Sequence, residues 1–381
     1  MCHLVDCCSE KMIQIQLRKP FFPQRSILTI QKKIAKAIKN GRLTLGSNLE
    51  EFEKDFAKYL GVKYACGVSS GTAGLHLSLL GLDVKSGDEI IVPSKTFIST
   101  ANAAVYCNAK PIFCDVDEYT FQMDPKKLEK LITKKTKAVI PVHLGGNVCD
   151  MSKILDVAKK YNVAIIEDAA HAHGSTYNEK KAGTFGMMGV FSLYPDKIMA
   201  SSDGGIMVTN NNSLYEKIML LRNVGRKNLG KYDFSAIGYN YRMNEIQAIL
   251  AIEQLHLLPD MIKRRREIAF AYDSAFKNMK KLEIQKIYPN VKSSYYAYIL
   301  RLTKGNLDNF RKKLSEKKIE TSPMFTSLHK MKIYQKMYGK TINTCLVSEM
   351  LDTQTFTIPL HPGMSNGQVN YVIRQIKNIL D

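Results

Sequence analysis

Three short stretches hold the residues whose types and spacing could do chemistry. The segment 182–204 reads AGTFGMMGVFSLYPDKIMASSDG, and its only charged residues are Asp196, Lys197 and Asp203. A lysine set apart in Gly/Ser/Met-rich sequence is unusual in a chain with 55 Lys+Arg. A partly desolvated lysine loses its proton more easily and can act as a Schiff-base nucleophile with a pKa near ~7–8. A surface lysine in a loop is the plain alternative. The second stretch is Asp168, which follows the apolar run Val163–Glu167 and precedes Ala169-Ala170-His171-Ala172-His173-Gly174. A carboxylate at the end of an apolar strand costs free energy unless a cation or donor meets it. A helix cap or a metal ligand would also explain it. The two histidines suggest a metal, but no further carboxylate or Cys follows them locally, and no metal is expected. The third stretch is Ser69-Ser70-Gly71-Thr72-Ala73-Gly74-Leu75, leading into a helical pattern. Small residues let a backbone approach a ligand, and a helix N-terminus offers unpaired N–H groups and a positive dipole. That is a phosphate cradle, although tight packing alone also makes such turns Gly-rich. It matches neither GxGxxG nor GxxxxGK[ST], which disfavours a dinucleotide fold and a P-loop NTPase.

A phosphate cradle, a buried carboxylate and an isolated lysine are together the groups that pyridoxal phosphate requires. The phosphate needs backbone donors. The pyridine nitrogen needs an anion to stay protonated. The aldehyde needs the lysine.

The elements that must position these groups alternate along the chain. Apolar runs read as strands at Tyr64–Val68, Glu89–Val92, Pro111–Asp115, Ala138–Val142, Val163–Glu167, Gly189–Leu193 and Ile206–Thr209. Segments with helical spacing lie at Thr72–Leu82, Phe97–Cys107, Pro125–Thr133 and Ser152–Tyr161. The early strands recur roughly every 22–27 residues, the length of a strand–helix–strand unit. Continuously apolar strands imply a sheet covered on both faces. The expected fold is α/β, with ligands at the carboxyl ends of a mostly parallel sheet. After about residue 255 the pattern changes. A basic amphipathic helix at Arg264–Met279, opened by Lys263-Arg264-Arg265-Arg266, precedes a strand at Tyr296–Leu302. A helix at Leu307–Lys317, irregular sequence and a last helix at Asn366–Leu380 complete the outline of a smaller α+β domain. The expected division is a leader over 1–18, a large domain over 19–255 and a small domain over 256–381. Met12 looks like a natural start, so residues 1–11 read as a leader or a mis-assigned start.

Composition narrows the function classes. The chain has 381 residues, 45% hydrophobic and 24% charged, which are globular proportions. The net charge of +20 attracts anions, but the positive residues are scattered, and no aromatic-interleaved basic motif points to nucleic acid. No apolar run reaches the roughly 18 residues that span a bilayer. No signal peptide is evident, so a cytoplasmic protein is expected. The eight cysteines form no CxxC pair. Cys2, His3, Cys7 and Cys8 could hold a metal but lack a second spaced ligand pair.

From about Lys19-Pro20 to the C-terminus the chain resembles the DegT/DnrJ-type nucleotide-sugar aminotransferases, within the fold-type-I pyridoxal-phosphate enzymes. Seven ordered motifs carry the likeness: SSGTAGLHL (69–77), PSKTFISTANA (93–103), PVHLGG (141–146), EDAAHAHGS (167–175), FSLYPDK (191–197), GYNYRMNEIQA (238–248) and LHPGMS (360–365). The resemblance implies a large cofactor domain built on a seven-stranded sheet sandwiched by helices, a small C-terminal domain, and a homodimer with shared active sites. It implies that Lys197 forms the Schiff base and shuttles the proton, that Asp168 pairs with the pyridinium nitrogen, and that His171 bonds the ring's phenolic oxygen. Phe97 matches the aromatic that stacks on the ring. Gly71, Thr72, Ala73 and Ser192 match the phosphate site, and Asn240 matches the residue that reaches the phosphate from the partner subunit. The implied reaction moves an amino group from an amino acid, with glutamate the expected donor, to a nucleotide-linked keto-sugar. Two positions depart from the family pattern. Ile198 stands where Asn usually follows the lysine, and Ser202-Asp203-Gly204-Gly205 replaces Gly-Glu-Gly-Gly. Dehydratases of the same fold carry His at the lysine position, so Lys197 argues against that alternative. A non-catalytic ligand- or nucleic-acid-binding regulator is the alternative of another class. For sugar contacts, His143, Tyr194, Lys227 and His329 are the candidates.

Overall fold

Alternate residues of the central strands go to opposite cores. Ile90 and Val92 pack in one apolar cluster and Ile91 in the other; Ile166 and Ile165, Val190 and Phe191, and Met207 and Ile206 divide in the same way. A strand that is apolar on both sides needs a layer on each face, which gives the sandwich read from the sequence. The computed structural model describes residues 14–227, 232–339 and 344–380. Its large sheet comprises β1 (Tyr64–Val68), β2 (Glu89–Pro93), β3 (Lys110–Cys114), β4 (Thr136–Val139), β5 (Ala164–Asp168), β8 (Met188–Ser192) and β9 (Gly205–Thr209). The strand order is β1-β9-β8-β5-β4-β2-β3. The β3–β2, β2–β4, β4–β5 and β5–β8 pairs are parallel, and β9 runs antiparallel to both β8 and β1. Two short strands, β6 (Thr176–Tyr177) and β7 (Lys180–Lys181), join β11 (Val291–Lys292) in a small ribbon.

Helices α1 (Gln24–Lys39) and α2 (Ser47–Leu60) precede the sheet. Helices α3 (Gly71–Gly81), α4 (Ile98–Tyr106), α5 (Pro125–Leu131), α6 (Met151–Tyr161) and α7 (Asn212–Arg222) follow its strands. A second sheet, ordered β10-β12-β14-β13, uses Leu282–Ile284, Tyr298–Leu302, Thr355–Ile358 and Ser322–Pro323. It has its own apolar cluster, which Ile15 joins. Residues 14–18 are therefore not a loose leader: Ile15 bridges Ile319 and Leu17 donates to Glu320. The cluster of Cys2, His3, Cys7 and Cys8 lies outside the described residues.

Two expectations for the C-terminal region need correction. The basic helix does not start at Arg264; it is the second half of α8 (Glu245–Phe276), which contains Pro259. Its start is fixed by a capping box, in which Asn244 accepts from Gln247 N at 2.9 Å and Gln247 accepts from Asn244 N at 3.0 Å. Pro259 lies inside the helix, where burial along both halves of α8 outweighs the lost backbone bond. The stretch after Leu307–Lys317 is not irregular. After α9 (Leu307–Glu316) it holds α10 (Lys332–Tyr338), α11 (Leu346–Asp352) and β14, before α12 (Asn366–Leu380). Elements this short carry too few residues to show a period. Among the described residues Cys66, Cys107, Cys114 and Cys149 are buried free thiols, Cys345 is buried too, and no helix is long and apolar enough to cross a membrane.

Candidate active site

The site lies where β1, β2, β5 and β8 end. Strand β1 runs out at Val68, and Ser70 caps α3 by accepting from Ala73 N at 3.1 Å. The first turn of α3 brings Gly71, Thr72 and Ala73 to the sheet edge, and Thr72 donates to Ser99 Oγ at 2.7 Å. Ser192, at the end of β8, closes the other side: a Cβ on Gly71 would lie 3.0 Å from Ser192 Cβ. A Cβ on Gly205 would lie 2.7 Å from Gly71 N. That contact accounts for the glycine at 205, and Gly204 has a φ of 128°, which favours glycine there too. Of the substituted positions, Asp203 binds Gly204 N at 2.7 Å, and Ile198 is buried in the main core, where a polar Asn would lack water.

Asp168 ends β5 and is 5% exposed. Its Oδ2 accepts from Thr100 at 2.8 Å and its Oδ1 from Ala170 N at 3.2 Å. Burial raises its pKa, against the pull of Thr100, Ala170 and the Lys197 charge. Thr100 stands one turn along α4 from Phe97, so a single helix start places an aromatic ring and a donor to Asp168. Phe97 is 55% exposed. The preceding residue of β5, Glu167, points the other way. It accepts from Gly183, Phe185 and Gly186 backbone N–H groups and pairs with His143 Nε2 at 2.9 Å. Burial alone would lower the His143 pKa, but hydrogen bonds to Cys149 and Glu167 raise it.

Lys197 follows β8 in a turn, with its N bonded to Tyr194 O at 2.9 Å. Its side chain is 12% exposed. The Nζ sits 3.2 Å from Asp196 Oδ1, 3.2 Å from His171 Nε2 and 3.3 Å from Tyr296 Oη. Burial lowers its pKa, Asp196 works against that, and Arg18 reinforces it. The His171 ring stacks on Tyr296 at 3.9 Å, and its Nδ1 is buried without a partner. Burial and the Lys197 charge hold His171 well below the usual histidine range, so it is a neutral ring. Asp196 Oδ2 accepts from Tyr296 Oη at 2.8 Å and from Arg18 at 3.1 Å.

The structure therefore brings together Gly71, Thr72, Ala73, Ser192, Phe97, Asp168, His171 and Lys197. Asn240 stays apart. It is exposed and its backbone bridges Asn223, while the residues after it reach the cradle: Tyr241 O accepts from Ser69 N at 2.8 Å and Arg242 bridges Val68. Two sugar-contact candidates are withdrawn. His143 is fully buried against Glu167, and His329 is occupied by Ser94 at 2.7 Å and Glu349 at 3.0 Å. Tyr194 and Lys227 are exposed. Sequence reasoning missed Arg18, Thr100, Tyr296 and Phe325. The Phe97–Thr100 spacing could have pointed to Thr100. Nothing local marks the other three, which arrive from distant parts of the chain.

These groups fit pyridoxal phosphate. The α3 start and Ser192 suit the phosphate, Asp168 the ring nitrogen and Lys197 the aldehyde. The orphaned buried Nδ1 of His171 shows a polar surface awaiting a partner. Among the described residues no group of three or more His, Cys, Asp or Glu could hold a metal ion.

Comparison with known proteins agrees. The GDP-perosamine synthase of Escherichia coli O157:H7 is 40% identical over 87% of this chain and 90% of its own length. The dTDP-3-amino-3,6-dideoxy-alpha-D-galactopyranose transaminase of Aneurinibacillus thermoaerophilus is 35% identical over 94% and 98%. The aminotransferase TlmJ of Streptoalloteichus hindustanus superposes with a TM-score of 0.90 at 29% identity, covering 96% of this chain and 98% of TlmJ. A putative sugar aminotransferase of Streptococcus pneumoniae, solved in its PLP form, gives 0.89 at 27% over 96% and 98%. The family model matches residues 26–377, and the chain belongs to the DegT/DnrJ/EryC1/StrS aminotransferase family.

Proposed function

We propose that this protein is a pyridoxal-phosphate-dependent aminotransferase that moves an amino group from an amino acid, glutamate first, to a nucleotide-linked keto-sugar destined for surface polysaccharide. The observation that carries the reading is the Lys197 ammonium, buried among Asp196, His171 and Tyr296 and within the field of Asp168, with its proton made easier to lose.

Bound pyridoxal phosphate supplies an electron sink that stabilises negative charge on the adjoining carbon. The chain does the rest. Backbone N–H groups at the start of α3, with Thr72 and Ser192, hold the phosphate through charge-assisted bonds worth roughly 1.5–3 kcal/mol each. The Asp168 carboxylate keeps the ring nitrogen protonated. The neutral His171 bonds the ring's phenolic oxygen, and Phe97 covers one face. Lys197 Nζ would hold the aldehyde and, when free, would carry a proton between the amine-bearing carbon of the donor and the aldehyde carbon on the other side of the nitrogen, in opposite directions in the two half-reactions. Asp196, held by Arg18 and Tyr296, steadies Nζ between the two positions. The reading includes a homodimer in which Asn240 of each copy serves the other's phosphate, a cytoplasmic location and no nucleic-acid partner. It divides the chain into a cofactor unit over 19–255 and a smaller unit over 256–381, with α8 running through both.

Protein purified with pyridoxal phosphate should show the visible band of lysine-bound cofactor, and glutamate should bleach it. A panel of nucleotide amino-sugars, tested for bleaching in reverse, identifies the acceptor. Full turnover by Lys197→Ala would end the proposal.

A further inference from the structure

A second lysine is buried close to the cofactor cleft, and the reaction does not use it. Lys95 lies two residues before Phe97, and its side chain is 0% exposed. Its Nζ donates to Asp352 Oδ1 at 3.0 Å and to Phe325 O at 3.1 Å. Asp352 ends α11, and both of its oxygens accept from Ser327 N, at 3.1 and 3.0 Å. Two further bonds join the same segments: Leu328 N donates to Ser94 O at 2.8 Å, and Ser94 Oγ meets His329 Nδ1 at 2.7 Å. The loop after β13 is thus tied directly to residues 94 and 95 at three points, and Asp352 bridges the two segments besides.

This loop carries Phe325. The residue has φ of 51°, in the left-handed region where a bulky side chain is strained. Such strain persists only where the surroundings over-determine it. The half-buried ring lies 5.9 Å from Phe97 and 5.8 Å from His171, nearly parallel to the latter. It therefore lies between the exposed Phe97 and the His171 ring, whose Nε2 meets Lys197. Burying an ammonium costs much unless it is paired and bonded. Here the ammonium bonds the very carbonyl of the strained residue.

We propose that Lys95 is a positioning residue: with Asp352 it latches the 325–329 segment so that Phe325 forms the aromatic wall against which the acceptor's sugar ring lies. This rests on the aminotransferase reading above. It assigns the latch to one half of the reaction. A small amino acid needs only the space beside the buried Lys197, whereas a far larger nucleotide-linked sugar must extend outward past the exposed Phe97 and its neighbour Phe325.

The test separates the two half-reactions in the holoenzyme. Bleaching of the lysine-bound cofactor band by glutamate reads the first, and its return on adding the acceptor identified by the reverse panel reads the second. Lys95→Met should raise the acceptor KM at least tenfold while changing the glutamate bleaching rate less than twofold. Phe325→Ala should raise the acceptor KM by a similar factor. The double variant should lose no more than the larger single loss, because both changes remove one wall. Asp352→Asn keeps the shape and the acceptor for Ser327 N–H, so it guards against misfolding of the first variant. It should show the same split at smaller size. Multiplying losses in the double variant, an equal loss in both half-reactions, or an acceptor KM within twofold of wild type in Asp352→Asn would each overturn the latch. Wild-type holoenzyme that glutamate never bleaches would overturn the aminotransferase reading and the latch with it, which sets that failure apart from the others.

Discussion

Lys95 and Lys197 are both buried, both meet a carboxylate near 3 Å, and burial lowers the pKa of both. Their partners differ in a way that separates structure from chemistry. Asp352 relies on Lys95 for its counter-charge, and the lysine in turn serves a backbone carbonyl. Removing the ammonium strands a carboxylate among buried groups. Asp196 has Arg18 and Tyr296 on Oδ2 besides Lys197 on Oδ1, so its charge stays compensated when Nζ leaves. A lysine that must be released by its neighbours during turnover is the one whose partner is over-supplied. Burial and a shifted pKa do not by themselves identify a catalytic lysine; the redundancy of its surroundings does.

Four measurements can break or sharpen this contrast. Lys197→Ala should lower turnover by roughly 10³-fold or more, in line with removal of both nucleophile and proton carrier. Lys95→Ala should leave bleaching by glutamate visible under the same assay, and equal losses would erase the distinction. Asp168→Asn removes the anion from the ring nitrogen. It should slow both half-reactions by about 10–100-fold, the scale of one charge-assisted bond, and stopped-flow absorbance would show it. Third comes stability. Lys95→Met should cost about 3–5 kcal/mol, as for a buried pair broken on one side. A Lys95→Met/Asp352→Leu pair should recover much of that loss in urea titrations. The smallest effect has the opposite sign. Apo Lys197→Met should be more stable than apo wild type by about 1 kcal/mol, because an ammonium is no longer buried for the sake of function. The lowered pKa of Lys197 means that the unfolded chain holds its proton to higher pH than the folded one. Wild-type stability therefore rises with pH through the folded pKa towards the unfolded value of ~10.4, and the variant's advantage should shrink over that window. An advantage that grows with pH would contradict the assignment.

The contrast also shows what a sequence can and cannot reveal. Lys197 stands out because its neighbours 182–204 carry so little charge. Lys95 sits in PSKTF without such a marker, and its burial follows from Asp352 and Phe325, more than two hundred residues away. The strands of the large sheet and the start of α3 were legible because each is a local pattern: apolar runs, then small residues opening a helical period. The groups that converge on Asp196 were not legible. Arg18 fell in a presumed leader, and Tyr296 in what was read as the start of a strand, although β12 begins at Tyr298. The expected start of α8 failed for a related reason: the basic run 263–266 is a local signal, whereas the helix is started by the Asn244–Gln247 capping box and carried through Pro259 by tertiary burial.

Glu167 and Asp168 are neighbours in one strand with opposite duties. The first anchors three backbone amides and His143 on the far face, and the second faces the cleft. Because successive residues in a strand alternate sides, shifting β5 by a single residue against β8 would exchange them. The acid meant for the heterocycle would then be buried among amides, and the scaffold acid would be thrust into the cleft. Fidelity of the chemistry is thus inherited from strand alignment, and mutations far from any ligand that loosen the β5–β8 seam should be read first as errors of catalysis.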